Sequence, residues 1–425
     1  MNDQALRDRI AKAVDAGFDQ QVAFLADLTR IPSLRCQEAP AQDFMAAAMR
    51  ERGLAVDRWK IEVDDIRHLP GFSPVAVSYE HAFNVVGTHR PRQRKGRSLI
   101  LNGHIDVVPT GPLDMWAEHP FEPRVRDGWM VGRGAGDMKA GLAANLFALD
   151  ALSRIGLAPA AEVYLQSVIE EECTGNGALA CLARGYRADA AIIPEPMNDQ
   201  MLSAQLGVMW FQVRVRGRPA HEAVAGSGAN AIEACWPLIQ ALHRLEKQWN
   251  AQGHPAFAEH EHPVNFVVSR IQGGDWTSSV PAWCTFDMRI GIFPGMELSE
   301  VRAQVESTVA EAARHDPYLA EHPPAIVYHG FQAEAYVLPQ GSRAQRALER
   351  CHAAVYGEAL PQFASTGTTD ARFFGLYEDI PSLVYGPQAE NIHAFDERVN
   401  LESVRRVTQT IALFIADWCG LEDKQ

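Results

Sequence analysis

"MKAGLAANLFALDALSRIGLAPAAEVYLQSVI" (residues 138–169) reads as a long apolar helix stopped by Gly156, followed at 161–169 by a short apolar strand. Upstream, "SLILNGH" (98–104) is another short strand running into a glycine turn, and downstream "AAIIPE" (190–195) is a third. Strand, helix, strand, in that order, implies an α/β fold: a largely parallel sheet covered by helices. Ligands of such sheets collect outside the carboxyl ends of the strands.

Working outward, residues 3–30 carry Leu6, Ile10, Val14, Phe18, Val22 and Leu25 at spacings of three or four, the mark of an amphipathic helix. Beyond the third strand the pattern changes. "VMWFQVRVRG" (208–217) places Phe211, Val213 and Val215 on one face and Gln212, Arg214 and Arg216 on the other, as in a half-exposed strand. "FVVSRI" (266–271) and "WCTFDMRIGI" (283–292) continue it, with helical stretches at about 229–247 and 297–314. The chain therefore divides into a first part of the α/β body at 1–206, an inserted smaller α+β unit at 207–325, and the returning body at 326–425.

Composition excludes several classes of function. With 425 residues, 47% of them hydrophobic, the chain can bury a large core. No apolar stretch reaches the roughly 20 residues of a membrane span, and "MNDQALRDRI" lacks the basic-then-apolar order of a signal peptide. The expected compartment is the cytoplasm, with no membrane partner. A formal charge of −14 repels a phosphate backbone, so nucleic acid is not an expected partner. Seven scattered cysteines without a CxxC pair suggest neither a disulfide framework nor a cysteine zinc site.

The chemically loaded residues fall at strand ends. His104 and Asp106 follow the first strand; Glu170, Glu171 and Glu172 follow the second; Glu195 ends the third. Asp137 stands between a glycine-rich loop and a helix start, and His393 comes from the C-terminal region. Singly, each has an ordinary reading, as a surface histidine, a helix cap or a solvated face. Converging on one edge, two imidazoles and at least three carboxylates form a mixed N/O set suited to zinc or a similar divalent ion. Metal charge then offsets the clustered glutamates.

Seven stretches in order, "NGHIDVVP", "GRGAGDMKAG", "EEECTGNGALA", "IIPEP", "RGRPAHEA", "STGTTDARFF" and "IHAFDERV", span residues 102–399 and resemble the M20 metallopeptidase family. That family includes acetylornithine deacetylase, succinyl-diaminopimelate desuccinylase, aminoacylase-1 and glutamate carboxypeptidase. The resemblance implies a zinc aminopeptidase-like catalytic domain, with the inserted unit as a lid and dimerisation domain. It implies two divalent metals, zinc first with cobalt or manganese as alternatives. Asp137 would bridge them, His104 and Glu195 completing one site and Glu172 and His393 the other. Asp106 matches a carboxylate that orients the His104 imidazole, Glu171 matches the general base, and Glu170 a supporting position. The Asp137–Met138 peptide is expected to be cis.

By the same resemblance His221 reaches the active site of a partner subunit in a homodimer and stabilises the oxyanion. Arg289 matches an arginine that binds a substrate carboxylate. Asn265, Thr368 and Asp370 are further candidate substrate contacts. The stretch at 64–80 is longer than in acetylornithine deacetylase itself and points to deacylases acting on varied N-acyl, N-formyl or N-succinyl compounds. The implied activity is hydrolysis of the amide of an N-acyl amino acid or related amine. A carboxypeptidase or dipeptidase using the same site, and a homologue that binds metal without catalysis, are the alternatives.

Overall fold

The computed structural model describes residues 4–424. The expected N-terminal helix is Gln4–Arg30; residue 3, at which the reading began, lies outside the described residues. Its buried stripe, including Ile10, Val14, Leu25 and Leu28, packs on the helix Ala140–Arg154. That second helix is itself almost wholly buried, because apolar residues surround it on every side. Gly156, at φ 77, takes the left-handed conformation that closes the helix, and the strand Val163–Val168 follows.

The main sheet has six strands in the order Ala55–Lys60, Phe83–His89, Val163–Val168, Leu99–His104, Ala191–Ile193, Ser382–Val384. Its last four strands are parallel, as the β–α–β order requires. The first two pair antiparallel, making the sheet mixed. They were not foreseen, since Phe83–His89 carries Asn84, Gly87 and Thr88 among its apolar residues and has no clear alternation. Helices Gln4–Arg30, Ala140–Arg154 and Leu401–Cys419 pack together, and their apolar side chains join those of the sheet in a large core.

A second, four-stranded sheet is antiparallel throughout, in the order Phe266–Gly273, Trp283–Ile292, Gly207–Arg216, Ala325–Ala333. Phe211, Val213 and Val215 are buried beneath the helix Ala231–Gln252, while Arg214 and Arg216 are exposed, following the alternation in the sequence. Each such buried Phe or Val contributes about 1.5–3 kcal/mol. The fourth strand carries this sheet to Ala333, past the limit of 325 read from the sequence, because it pairs with Gly207–Arg216 along most of that strand. The helix Ala231–Gln252 likewise outruns the 229–247 stretch, to a stop at Gly253. All seven cysteines are free, five of them buried. Among the described residues no helix is long and apolar enough to cross a membrane.

Candidate metal centre

Strand register builds the site. His104 pairs with Val168 across two parallel strands, so both strands end level, and the glutamates begin two residues beyond Val168. Ala191–Ile193 lies on the other side of Leu99–His104 and ends two residues before Glu195. Three carboxyl ends thus deliver His104, Glu171, Glu172 and Glu195 to one edge.

There, His104 Nε2 lies 3.1 Å from Asp137 Oδ1, 3.7 Å from Glu195 Oε2 and 3.8 Å from Glu171 Oε2. His393 Nε2 lies 3.4 Å from the other oxygen of Asp137 and 3.0 Å from Glu172 Oε2. Asp137 therefore stands between two imidazoles, one oxygen facing each. Its peptide bond to Met138 is cis. Ligand atoms of His104, Glu171 and Glu195, and of His104, Asp137 and Glu172, come within 4.8 Å of one another. Glu171 is thus drawn into the cluster as closely as the expected ligands.

The electrostatics fit a cation. Burial by itself lowers the pKa of His104, but Glu195, Asp137 and Glu171 overcome it and hold the imidazolium well above the usual range. Glu172 chiefly raises His393 to about 11. Burial pushes Glu195 up to about 7 and Glu171 well above the carboxylate range. Asp137 goes the other way: hydrogen bonding to His104 and His393 outweighs its burial and holds it far below. Without an ion the cluster would relieve its negative charge with protons, which a divalent ion would replace. Glu195 Oε1 is buried without a hydrogen-bond partner, a lone pair left for such an ion.

Asp106 meets His104 through both its backbone and its side chain. His104 Nδ1 lies 2.9 Å from the backbone carbonyl of Asp106 and 3.6 Å from its carboxylate. The carbonyl, the nearer of the two acceptors, makes the hydrogen bond to the ring. The carboxylate also accepts the backbone N–H groups of Glu171 at 3.4 Å and Glu172 at 3.1 Å, holding the glutamate loop.

Other anchors were missed in the sequence. Glu397, 1% exposed, accepts the N–H groups of Gly136 at 2.9 Å and Asp137 at 3.0 Å on one oxygen and Arg133 at 2.6 Å on the other. Arg133 also donates to the carbonyl of Ala394, beside His393. The buried Lys139, its pKa pushed by burial down to about 7, donates to the carbonyls of Leu28 and Ile31 at the end of the N-terminal helix. Glu397 and Lys139 lay within recognised motifs, yet nothing local signals a backbone partner so remote in sequence.

Of the remaining candidates only Asp370 comes close to the metal cluster. His221 is exposed on the inserted unit, its Nδ1 accepting from the Ala223 amide. Arg289, buried enough to lower its pKa, donates to the Thr366 carbonyl at 3.2 Å. Thr368 accepts from Gln205, and Asn265 donates weakly to the Pro263 carbonyl. Asp370, raised by burial to about 6, is fully buried with both oxygens unpartnered and lies near enough to Glu171 to raise it further.

The profile of the peptidase family M20/M25/M40 matches residues 100–417, three-quarters of the chain. This chain belongs to that family. It is 30% identical over 403 residues to an N-formyl-4-amino-5-aminomethyl-2-methylpyrimidine deformylase from Halalkalibacterium halodurans, with 90% of each chain covered. It is 29% identical to a succinyl-diaminopimelate desuccinylase from Cupriavidus necator over 334 residues, 76% of this chain and 82% of the relative. Human carnosine dipeptidase 1 shares the fold at a TM-score of 0.76 and 14% identity, with 97% of this chain and 99% of that one covered. A dinuclear metal-binding M20 peptidase from Bacillus subtilis superposes at 0.59 and 14% identity over 95% of this chain and 98% of its own. This family member is a metal-dependent amidohydrolase, and its clustered imidazoles and carboxylates are consistent with divalent metals.

Proposed function

We propose that this enzyme hydrolyses the amide bond of a small N-acyl amine or N-acyl amino acid, formyl compounds foremost, at a pair of zinc ions. One observation carries the reading: the two oxygens of Asp137 face separate imidazoles, His104 at 3.1 Å and His393 at 3.4 Å, with Glu195 beside the first and Glu172 beside the second. His104, Asp137 and Glu195 would hold one ion and Asp137, Glu172 and His393 the other. When bound, the metals polarise the amide carbonyl and acidify water.

Glu171 acts as the proton carrier. It takes a proton from the water as its oxygen bonds to the carbonyl carbon, then delivers it to the nitrogen as the C–N bond breaks, releasing acid and amine. The amides of Glu171 and Glu172, tied to Asp106, keep the base beside the reaction. Arg289, Thr368 and Asp370 would face the substrate, with Asn265 a lesser contact.

The active unit on this reading is a homodimer. The free edge strand Phe266–Gly273 exposes Val267 and Ile271, and Trp236 and Trp276 are exposed on the same unit, 64% and 75% open. Pairing such an edge with a second copy covers it and would let His221 serve the partner's site as an oxyanion donor.

The test is a hydrolysis panel on zinc-loaded protein: N-formyl, N-acetyl and N-succinyl amino acids, the formylated aminomethylpyrimidine, and dipeptides. Release of amine from acylated compounds with dipeptides untouched supports the reading. Preference for dipeptides would replace it with a dipeptidase.

A further inference from the structure

Glu170, immediately before the base, has φ 65, a left-handed backbone unfavourable for a residue with a Cβ. Its carboxylate, 2% exposed, is held from several directions. Arg35 donates through Nε at 2.5 Å and Nη2 at 2.8 Å, the Tyr79 hydroxyl donates at 2.8 Å, and Thr174 Oγ1 at 3.0 Å. Tyr79 belongs to the long stretch at 64–80, whose second half is itself fastened on two sides. Asn176 exchanges hydrogen bonds with the backbone of Ser73 at 3.0 and 3.1 Å and donates to the Tyr79 oxygen at 3.2 Å. On the other side, Gln332 N donates to Ser73 Oγ and Gly330 N to the Pro74 carbonyl, both at 3.1 Å, joining the stretch to the antiparallel sheet.

We propose that Arg35 and Tyr79 are positioning residues for the hydrolysis. By gripping Glu170 they fix the backbone from which the Glu171 carboxylate is aimed, while Asp106 fixes the two amides that follow. The inference rests on Glu171 being the base. Groups that orient metal ligands from behind contribute about 10–100-fold, and a base braced through its backbone should respond on the same scale. Tyr79→Phe removes one hydroxyl and leaves the ring; Arg35→Lys keeps the charge and loses the two-pronged contact.

Both changes are made in wild-type protein and in a Glu171→Gln background, with zinc content, kcat and KM measured on the fastest amide of the panel. In the wild-type background kcat falls at least tenfold with KM and zinc content held. In the Glu171→Gln background the same changes alter the residual turnover by less than about twofold, because there is no base left to aim. Equal losses in both backgrounds, loss of zinc, or unchanged kcat in the wild type would overturn the proposal while leaving the base assignment intact. Near-normal turnover of Glu171→Gln alone would instead remove the base assignment, and the proposal with it. Arg35→Lys decides the matter if Tyr79→Phe fails to fold.

Discussion

Replacing Glu397 tests whether the centre is organised by a buried ion pair that touches no metal. The carboxylate makes three hydrogen bonds, to two consecutive amides of the Asp137 loop and to Arg133, and both charged partners are almost wholly buried, at 1% and 2% exposure. In Glu397→Ala the guanidinium keeps its contacts to the Pro109 and Ala394 carbonyls but loses its counter-charge. Removing one partner of a buried pair costs about 3–5 kcal/mol. Two orphaned amides add to this. Glu397→Gln retains an oxygen for the amides and should lie at the lower end, about 3 kcal/mol. Because those amides belong to Gly136 and Asp137, the loop shift should also weaken metal binding, by about 10–100-fold. Urea unfolding of the metal-free protein measures the first effect, and zinc competition against a chromogenic chelator the second. Unfolding free energy within about 0.5 kcal/mol of wild type, with unchanged zinc affinity, would refute the anchoring role.

Glu171→Gln should lose about 10²–10⁴-fold in turnover while binding zinc normally; steady-state kinetics beside metal analysis checks both halves. Zinc affinity should rise with pH between 6 and 8, by at least about tenfold per unit, since metal must displace protons from His104 and His393, both held above their ordinary range, and from Glu195, raised to about 7. A pH-independent affinity would contradict that protonation. The same shifts set the sign for stability: the His393 contribution is complete below its unfolded value and disappears as pH rises towards about 11, so metal-free protein should weaken in alkali. Metal-loaded protein should resist, and parallel melting curves from pH 7 to 10 compare the two. Finally, His221→Ala and Glu171→Ala chains should each be nearly inactive, yet after verified subunit exchange their mixture should recover about a quarter of wild-type activity. No recovery would place His221 outside the partner's site.

The alternation of strands and helices was legible because burial imprints a period of two or 3.6 on adjacent residues, as in 138–169 and 208–217. The placement of His104, Glu171, Glu172 and Glu195 was legible for a related reason: parallel strands present their carboxyl ends together, so position along the chain foretells position at the edge. What holds these groups in place was not. The ring of His104 hydrogen-bonds the backbone carbonyl of Asp106, Glu397 reaches amides more than 250 residues away, and Arg35 and Tyr79 meet at Glu170 from separate segments. Such partners leave no periodic trace, because a buried polar group is satisfied by whichever donor the packed chain brings within about 3 Å. Local pattern determined which residues could bind a cation; only the tertiary structure decided how the carboxylates are braced around it.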